Sequence, residues 1–153
     1  MSFLVFITCS IKKITMNDYN LQIAELFLRL FTGILFLFQG YDKLFRLKIP
    51  AVTDLFAADA ERYYISRPLL NLLAYCSSGV EFLGGLMLIA GFFTNYALYA
   101  LGVDLLVVSF AFTFLEPMWN MKHVLPRFIL VIVILIMPRH YQVFSLDNLL
   151  HLK

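Results

Sequence analysis

Residues 69–93 read LLNLLAYCSSGVEFLGGLMLIAGFF, a run introduced by Pro68 in which Glu81 is the sole charged residue. A helix of that length rises about 37 Å, enough to cross the roughly 30 Å hydrocarbon core of a bilayer. Glu81 falls near its centre, about 18 Å of rise from either end. A charge at that depth costs at least about 2.5 kcal/mol, so it faces a partner or a watery cavity rather than lipid. Three further segments, about 21–45, 96–115 and 125–138, read as spans, and Arg29 and Asp104 interrupt the first and third of them in the same way. The three charges point to a buried polar site; the plainer alternative is that they only hold helices together.

Composition agrees with this reading. The chain has 153 residues, of which 61% are hydrophobic and 14% charged. A soluble domain of this size could not bury so much apolar surface. The fold expected is all-α, a four-helix transmembrane bundle in contact with the lipid bilayer, with residues 21–153 forming one membrane domain. Residues 1–20 form an N-terminal extension, and Met16, followed by polar Asn17, Asp18 and Tyr19, would serve as an alternative start. A net charge of +2, with no basic run interleaved with aromatics, argues against a nucleic-acid partner.

The connection between the first two spans is too long for a simple turn. Val52, Leu55, Phe56, Ala60, Tyr63 and Tyr64 recur within it at helical spacing, which predicts a short amphipathic helix at the membrane surface with Thr53 as its N-cap. Thr94 and Asn95 read as the tight turn between the second and third spans. Pro126 suits a first helical turn, and Pro138 disturbs the fourth span. Side A denotes the face holding the N-terminus, the 94–95 turn and the C-terminus; side B is the opposite face. Lys12, Lys13, Arg139 and Lys153 on side A against Arg46, Lys48, Arg62, Arg67 and Lys122 on side B give no decisive orientation, whereas a start at Met16 would make side B cytoplasmic.

On the first span Glu25, Arg29, Gly33, Phe36, Gly40 and Lys43 follow at steps of three and four and share one helix face. Its glycines read as a packing surface. Counting from the span ends, Arg29, Asp104 and Glu81 reach similar depth from side A, so a cation flanked by two carboxylates is expected. In that arrangement Asp104 is the partner of Arg29, and Glu81 is the group that handles protons. A second layer gathers near side B: Gln39 and Lys43 end the first span, and Trp119, His123 and Arg127, spaced by four, lead into the fourth. Together they would line a site for an anionic or quinone-like head group, although Trp119 equally suits an interfacial aromatic belt and Arg127 could snorkel to phosphates.

Other chemistries find no support in the sequence. Cys9 and Cys76 belong to no C-x-x-C pair, so neither a redox dithiol nor a zinc pattern is present. His123 and His140 stand at opposite ends of the fourth span, about 25 Å apart, too far to share a haem. No metal or haem cofactor is expected. There is also no Gly-rich phosphate loop and no H-E-x-x-H.

The segment from Leu28 to Leu44, LRLFTGILFLFQGYDKL, resembles the first-span signature of the DoxX family: an arginine, a glycine four on, and a second glycine shortly before Lys-Leu. Glu81 to Thr94, EFLGGLMLIAGFFT, is similar to the family's second-span signature, and Ser145-Leu146-Asp147 to its closing motif. Arg29, Gly33, Gly40, Lys43, Glu81, Gly85 and Asp147 occupy motif positions. The resemblance implies a four-helix protein of the bacterial inner membrane, in a family that includes the small subunit of a thiosulfate:quinone oxidoreductase and partners in thiol and oxidative-stress defence. Two departures are visible: Pro138-Arg139-His140-Tyr141 replaces a glycine-rich approach to the closing motif, and the first loop carries its own helix.

The reading is therefore a membrane subunit of an oxidoreductase system. Glu81, Arg29 and Asp104 would form its polar centre, and Lys43, Gln39, Trp119, His123 and Arg127 would line a site for a quinone or related redox metabolite. A soluble redox partner protein and a homo-oligomer are the protein partners considered. The chain alone need not be an enzyme, and the alternative is a non-catalytic small-molecule carrier or a membrane anchor for a soluble redox partner.

Overall fold

The computed structural model describes residues 2–54, 57, 64–115, 122 and 124–150. Helix α1 spans Ser2–Tyr41 and passes into a π-helical turn over Asp42–Arg46. A short α2 follows over Ile49–Asp54, then α3 over Arg67–Ala90, α4 over Thr94–Leu115 and α5 over Val124–Ile136. The chain closes with a 3₁₀ turn at Arg139–Tyr141 and a one-turn α6 at Leu146–Leu149. Among the described residues there is no strand.

Among the described residues three stretches are long and apolar enough to cross a membrane: Asp18–Arg46, Arg67–Ala90 and Thr94–Ala111. The 13 residues of α5 rise about 20 Å, less than a full hydrocarbon width. The outer surface is lined with large apolar side chains such as Phe27, Phe31, Phe38, Leu83, Tyr96, Val103 and Phe110, all exposed. A surface of that kind is stable only in lipid, and the protein is an integral membrane protein.

Local chemistry moves several boundaries from their expected places. The connection after α3 is Gly91-Phe92-Phe93, and Thr94 already belongs to α4. Gly91 ends α3 in the left-handed region at φ 67°, and its N–H returns to the Leu88 and Met87 carbonyls. Thr53 is not an N-cap. Helix α2 starts at Ile49, so the Thr53 hydroxyl sits in its last turn, against the Ile49 and Pro50 carbonyls and 2.7 Å from Asn71 Oδ1. Leu55, Phe56, Ala60 and Tyr63 lie outside the described residues. Pro138 is extended and ends the last long helix, as its ring requires.

The helices pack in sequence order, and α5 returns to α1. Phe36, Leu88, Leu98, Leu101, Leu105, Val131 and Ile134 fill the centre. The closest approach is between α1 and α3, where glycines let the two backbones touch. A Cβ on Gly40 would sit 2.5 Å from Phe82 N, and one on Gly33 would sit 3.0 Å from Gly85 O. On Gly85 it would strike Leu37 N and lie 2.7 Å from Gly33 O. The obstructing atoms are largely backbone and cannot step aside, so the interface fixes the register of α1 on α3.

Gly85→Val should therefore lower stability by about 3 kcal/mol, whereas Gly79→Ala should change it by less than about 1 kcal/mol, since no atom lies within 4 Å of a Cβ there. Reversible unfolding in mixed detergent micelles checks both; equal effects would contradict the packing assignment.

Candidate functional site

The glycine register divides the buried charges into two layers. Toward side A, Arg29 lies beside Gly91, where a Cβ would meet its Nη1 at 2.5 Å. Toward side B, Lys43 meets Glu81. The two basic residues are 14 positions apart, about 21 Å along α1. Arg29 thus does not join Glu81 and Asp104, and the expected three-charge cluster does not form. Depth was counted from a span beginning at Leu21, whereas the contacts of Gly33 and Gly40 slide α1 so that Arg29 reaches only the end of α3.

The side-A layer is a corner joint. Arg29 and Glu25, one turn apart on α1, are both buried and paired at 3.1 Å. Arg29 also donates to the Leu88 carbonyl at 2.8 Å and to the Phe144 carbonyl at 2.5 Å. One guanidinium thereby ties α1, the C-terminal end of α3 and the closing segment together, at a helix end where cations are favoured. Asp147 completes the joint. Its carboxylate accepts from Phe93 N at 2.7 Å and Thr94 N at 2.9 Å, capping α4, while its own N–H donates to Gly91 O. Ser145 caps α6 by accepting from Asn148 N.

The second layer holds the ion pair of Lys43 and Glu81. Lys43 Nζ donates to Glu81 Oε2 at 2.7 Å, with Glu81 only 1% exposed and Lys43 23%. The π-helical turn that carries Lys43 is closed by Leu47 N to Asp42 O, and such widened turns are frequent at functional sites. Asp104 is 8% exposed and accepts from Ser77 Oγ at 3.1 Å. It forms no ion pair among the described residues, but lies within electrostatic reach of Lys43 and Glu81. The half-buried Arg127 in the first turn of α5 also acts on Glu81 through space. The expected roles of the carboxylates are reversed: Glu81 is the ion-paired one, and Asp104 is held by a hydroxyl.

Two polar atoms in this neighbourhood lack a partner among the described residues. They are Gln39 Oε1, one turn before Lys43, and Ser78 Oγ, one turn before Glu81. Buried groups of this kind are normally satisfied, so they mark a place where water or a ligand belongs. A cavity of about 150 Å³ opens farther toward side B, lined by Thr53, Asp54, Arg67, Leu70 and Asn71, and is separate from the Lys43–Glu81 pair. Trp119 and His123 lie outside the described residues, so of the expected side-B wall only Arg127 is placed.

The model of the DoxX family matches residues 24–114, more than half of the chain. The chain belongs to the DoxX family. That match covers the charged face of α1, all of α3 and most of α4, and so contains both Lys43–Glu81 and Asp104. No curated protein and no solved structure matches the chain. In this DoxX protein the motif residues divide by task. Arg29, Gly33, Gly40, Gly85 and Asp147 are explained by packing and capping, whereas Lys43 and Glu81 form a buried ion pair that packing does not require.

Sequence reasoning did not pair Glu25 with Arg29, although their spacing of four on one helix is the signal for it. Ser77 was missed altogether. Its signal is a position one turn before Glu81 on the inner face of α3.

Two double comparisons test these assignments. Lys43→Met should cost about 3–5 kcal/mol by leaving Glu81 buried without its cation, and adding Glu81→Gln should restore most of that loss. Asp147→Ala should cost about 2 kcal/mol through the lost α4 cap, and Asp147→Asn clearly less. Unfolding in detergent measures each; a Lys43→Met variant as stable as the parent would refute the ion pair.

Proposed function

We propose that the Lys43–Glu81–Asp104 layer binds the polar head of a small redox amphiphile, most directly a quinone, and that the chain is the membrane subunit of an oxidoreductase system in the bacterial inner membrane. In this reading α5 with its flanking residues serves as the fourth span. The observation that carries it is a 2.7 Å ion pair with a carboxylate 1% exposed, in a helix that must cross hydrocarbon, with a second carboxylate from a neighbouring helix close by. Charges in such a place are costly and usually mark a site for a substrate or proton.

The residues suit the task by chemistry. Lys43 is a donor with three N–H groups for a quinone carbonyl, and Arg127 adds a second positive charge that favours the anionic reduced head. Gln39 Oε1 is a buried acceptor for a hydroquinone hydroxyl. Asp104, which accepts from the Ser77 hydroxyl, would exchange a proton with the head. Reduction of a quinone to its hydroquinone takes two electrons and two protons. The electrons would come from the substrate of a soluble partner, and the protons through the carboxylates. Arg29 takes no part in this scheme, because its donors are engaged at the corner joint.

The test is purification in mild detergent with native lipid, followed by solvent extraction. Bound quinone should approach one per chain, fall at least about tenfold in Lys43→Met, and persist in Asp147→Asn, a loss equivalent to roughly 1.4 kcal/mol or more of binding. Absence of quinone from the parent, together with solute uptake by liposomes carrying the protein and no redox change, would replace this reading with that of a carrier.

A further inference from the structure

We infer that water and protons reach Asp104 from side B alone, along a seam of small and polar residues on the inner face of α3. The inference rests on the proposed function only in treating Asp104 as the group that exchanges a proton.

The inner face of α3 changes character at Glu81. Toward side A it consists of Gly84, Gly85 and Leu88, all buried; a Cβ on Gly84 would lie 2.8 Å from Leu101 Cγ, and Gly85 meets the α1 backbone. Along this face of α3 that half is closed by the Leu101 side chain and the α1 backbone. Toward side B the same face carries Ser78, Ser77, Ala74 and Asn71, at helical steps of one, three and three.

The seam has a mouth and an end. At the mouth is the cavity of about 150 Å³, large enough for several waters, with Asn71 in its wall, held by the Thr53 hydroxyl at 2.7 Å. From Asn71 to Ser78 is seven residues, about 10 Å of rise, which roughly three hydrogen-bonded waters span. Ala74 is the residue between them on this face, and its side chain is a single methyl. At the inner end Ser78 Oγ is buried at 1% exposure without a partner among the described residues, a group that calls for water. Beside it Ser77 Oγ donates to Asp104 Oδ2 at 3.1 Å.

Ser77 is thus the last link. Its oxygen accepts a proton from the water column as its own hydroxyl proton passes to Asp104 Oδ2, and rotation of the hydroxyl resets it. Charge and atoms balance: one proton enters at the mouth and one arrives on the carboxylate. The positive charge of Lys43, in the π-helical turn, and the negative charge of Glu81, on α3, act on the same carboxylate.

The test is thiol labelling in a Cys9→Ser, Cys76→Ser background, in sealed vesicles of each orientation. Ala74→Cys should react with a membrane-impermeant cationic methanethiosulfonate added on side B at least about tenfold faster than Leu83→Cys, whose position faces lipid, because the reagent attacks a thiolate and that forms in water. Ser77→Cys, nearly isosteric, is a second reporter, labelled from the same side. Neither should react from side A, and adding Asn71→Leu at the mouth should slow Ala74→Cys labelling about tenfold. Labelling no faster than at Leu83→Cys, labelling from side A, or indifference to Asn71→Leu would overturn the inference. No quinone or redox partner enters the assay, so its failure is distinct from failure of the head-group reading.

Discussion

The contact of glycine backbones between α1 and α3 governs what the rest of the molecule can do. Gly33, Gly40 and Gly85 allow an approach in which one added methyl would strike backbone atoms. Lipid offers no hydrophobic incentive for helices to associate, so close packing of this kind must supply the attraction. It also sets the register, because backbone cannot yield as a flexible side chain can. Sliding α1 by one turn would separate Lys43 from Glu81 and Arg29 from the Leu88 carbonyl together.

From that register follows a division between the two charged layers. At the side-A corner the charges have mechanical assignments: Arg29 bonds Glu25 and two carbonyls, and Asp147 caps α4. Gly91 is needed there twice, for its left-handed backbone and because a side chain would collide with Arg29 and with Ser145 Cα. The second layer has no such assignment. Removing both Lys43 and Glu81 would leave the helices joined by their glycines, and a costly pair retained without a mechanical need is the better candidate for function.

The sequence made the helical fold legible because its signals were strong: long apolar runs, prolines at helix starts and ends, and small residues on shared faces. Boundaries set by distant partners were not legible. Nothing near Thr94 announces that Asp147, some fifty residues later, will cap it and start α4 two residues before the expected position. The site was half legible for the same reason. Glu81 and Asp104 were found from their intramembrane placement and do stand near one another. Lys43 was placed with the mouth residues, because estimates of depth from span ends cannot see a register fixed by Gly40 against Phe82.

The asymmetry between the two ends is itself an argument about direction. At the side-A corner the closing segment, the α3–α4 turn and the Arg29 guanidinium are joined by short hydrogen bonds, and beneath them α1 and α3 meet through glycine backbone. Beyond Glu81 the inner face of α3 turns to serines, an alanine and an asparagine, and the structure opens into a cavity. An ion pair with a tightly bonded corner toward one membrane face and a cavity toward the other would experience unequal access from the two faces. Chemistry coupled to it would then exchange protons with one compartment, whichever redox molecule or partner supplies the electrons.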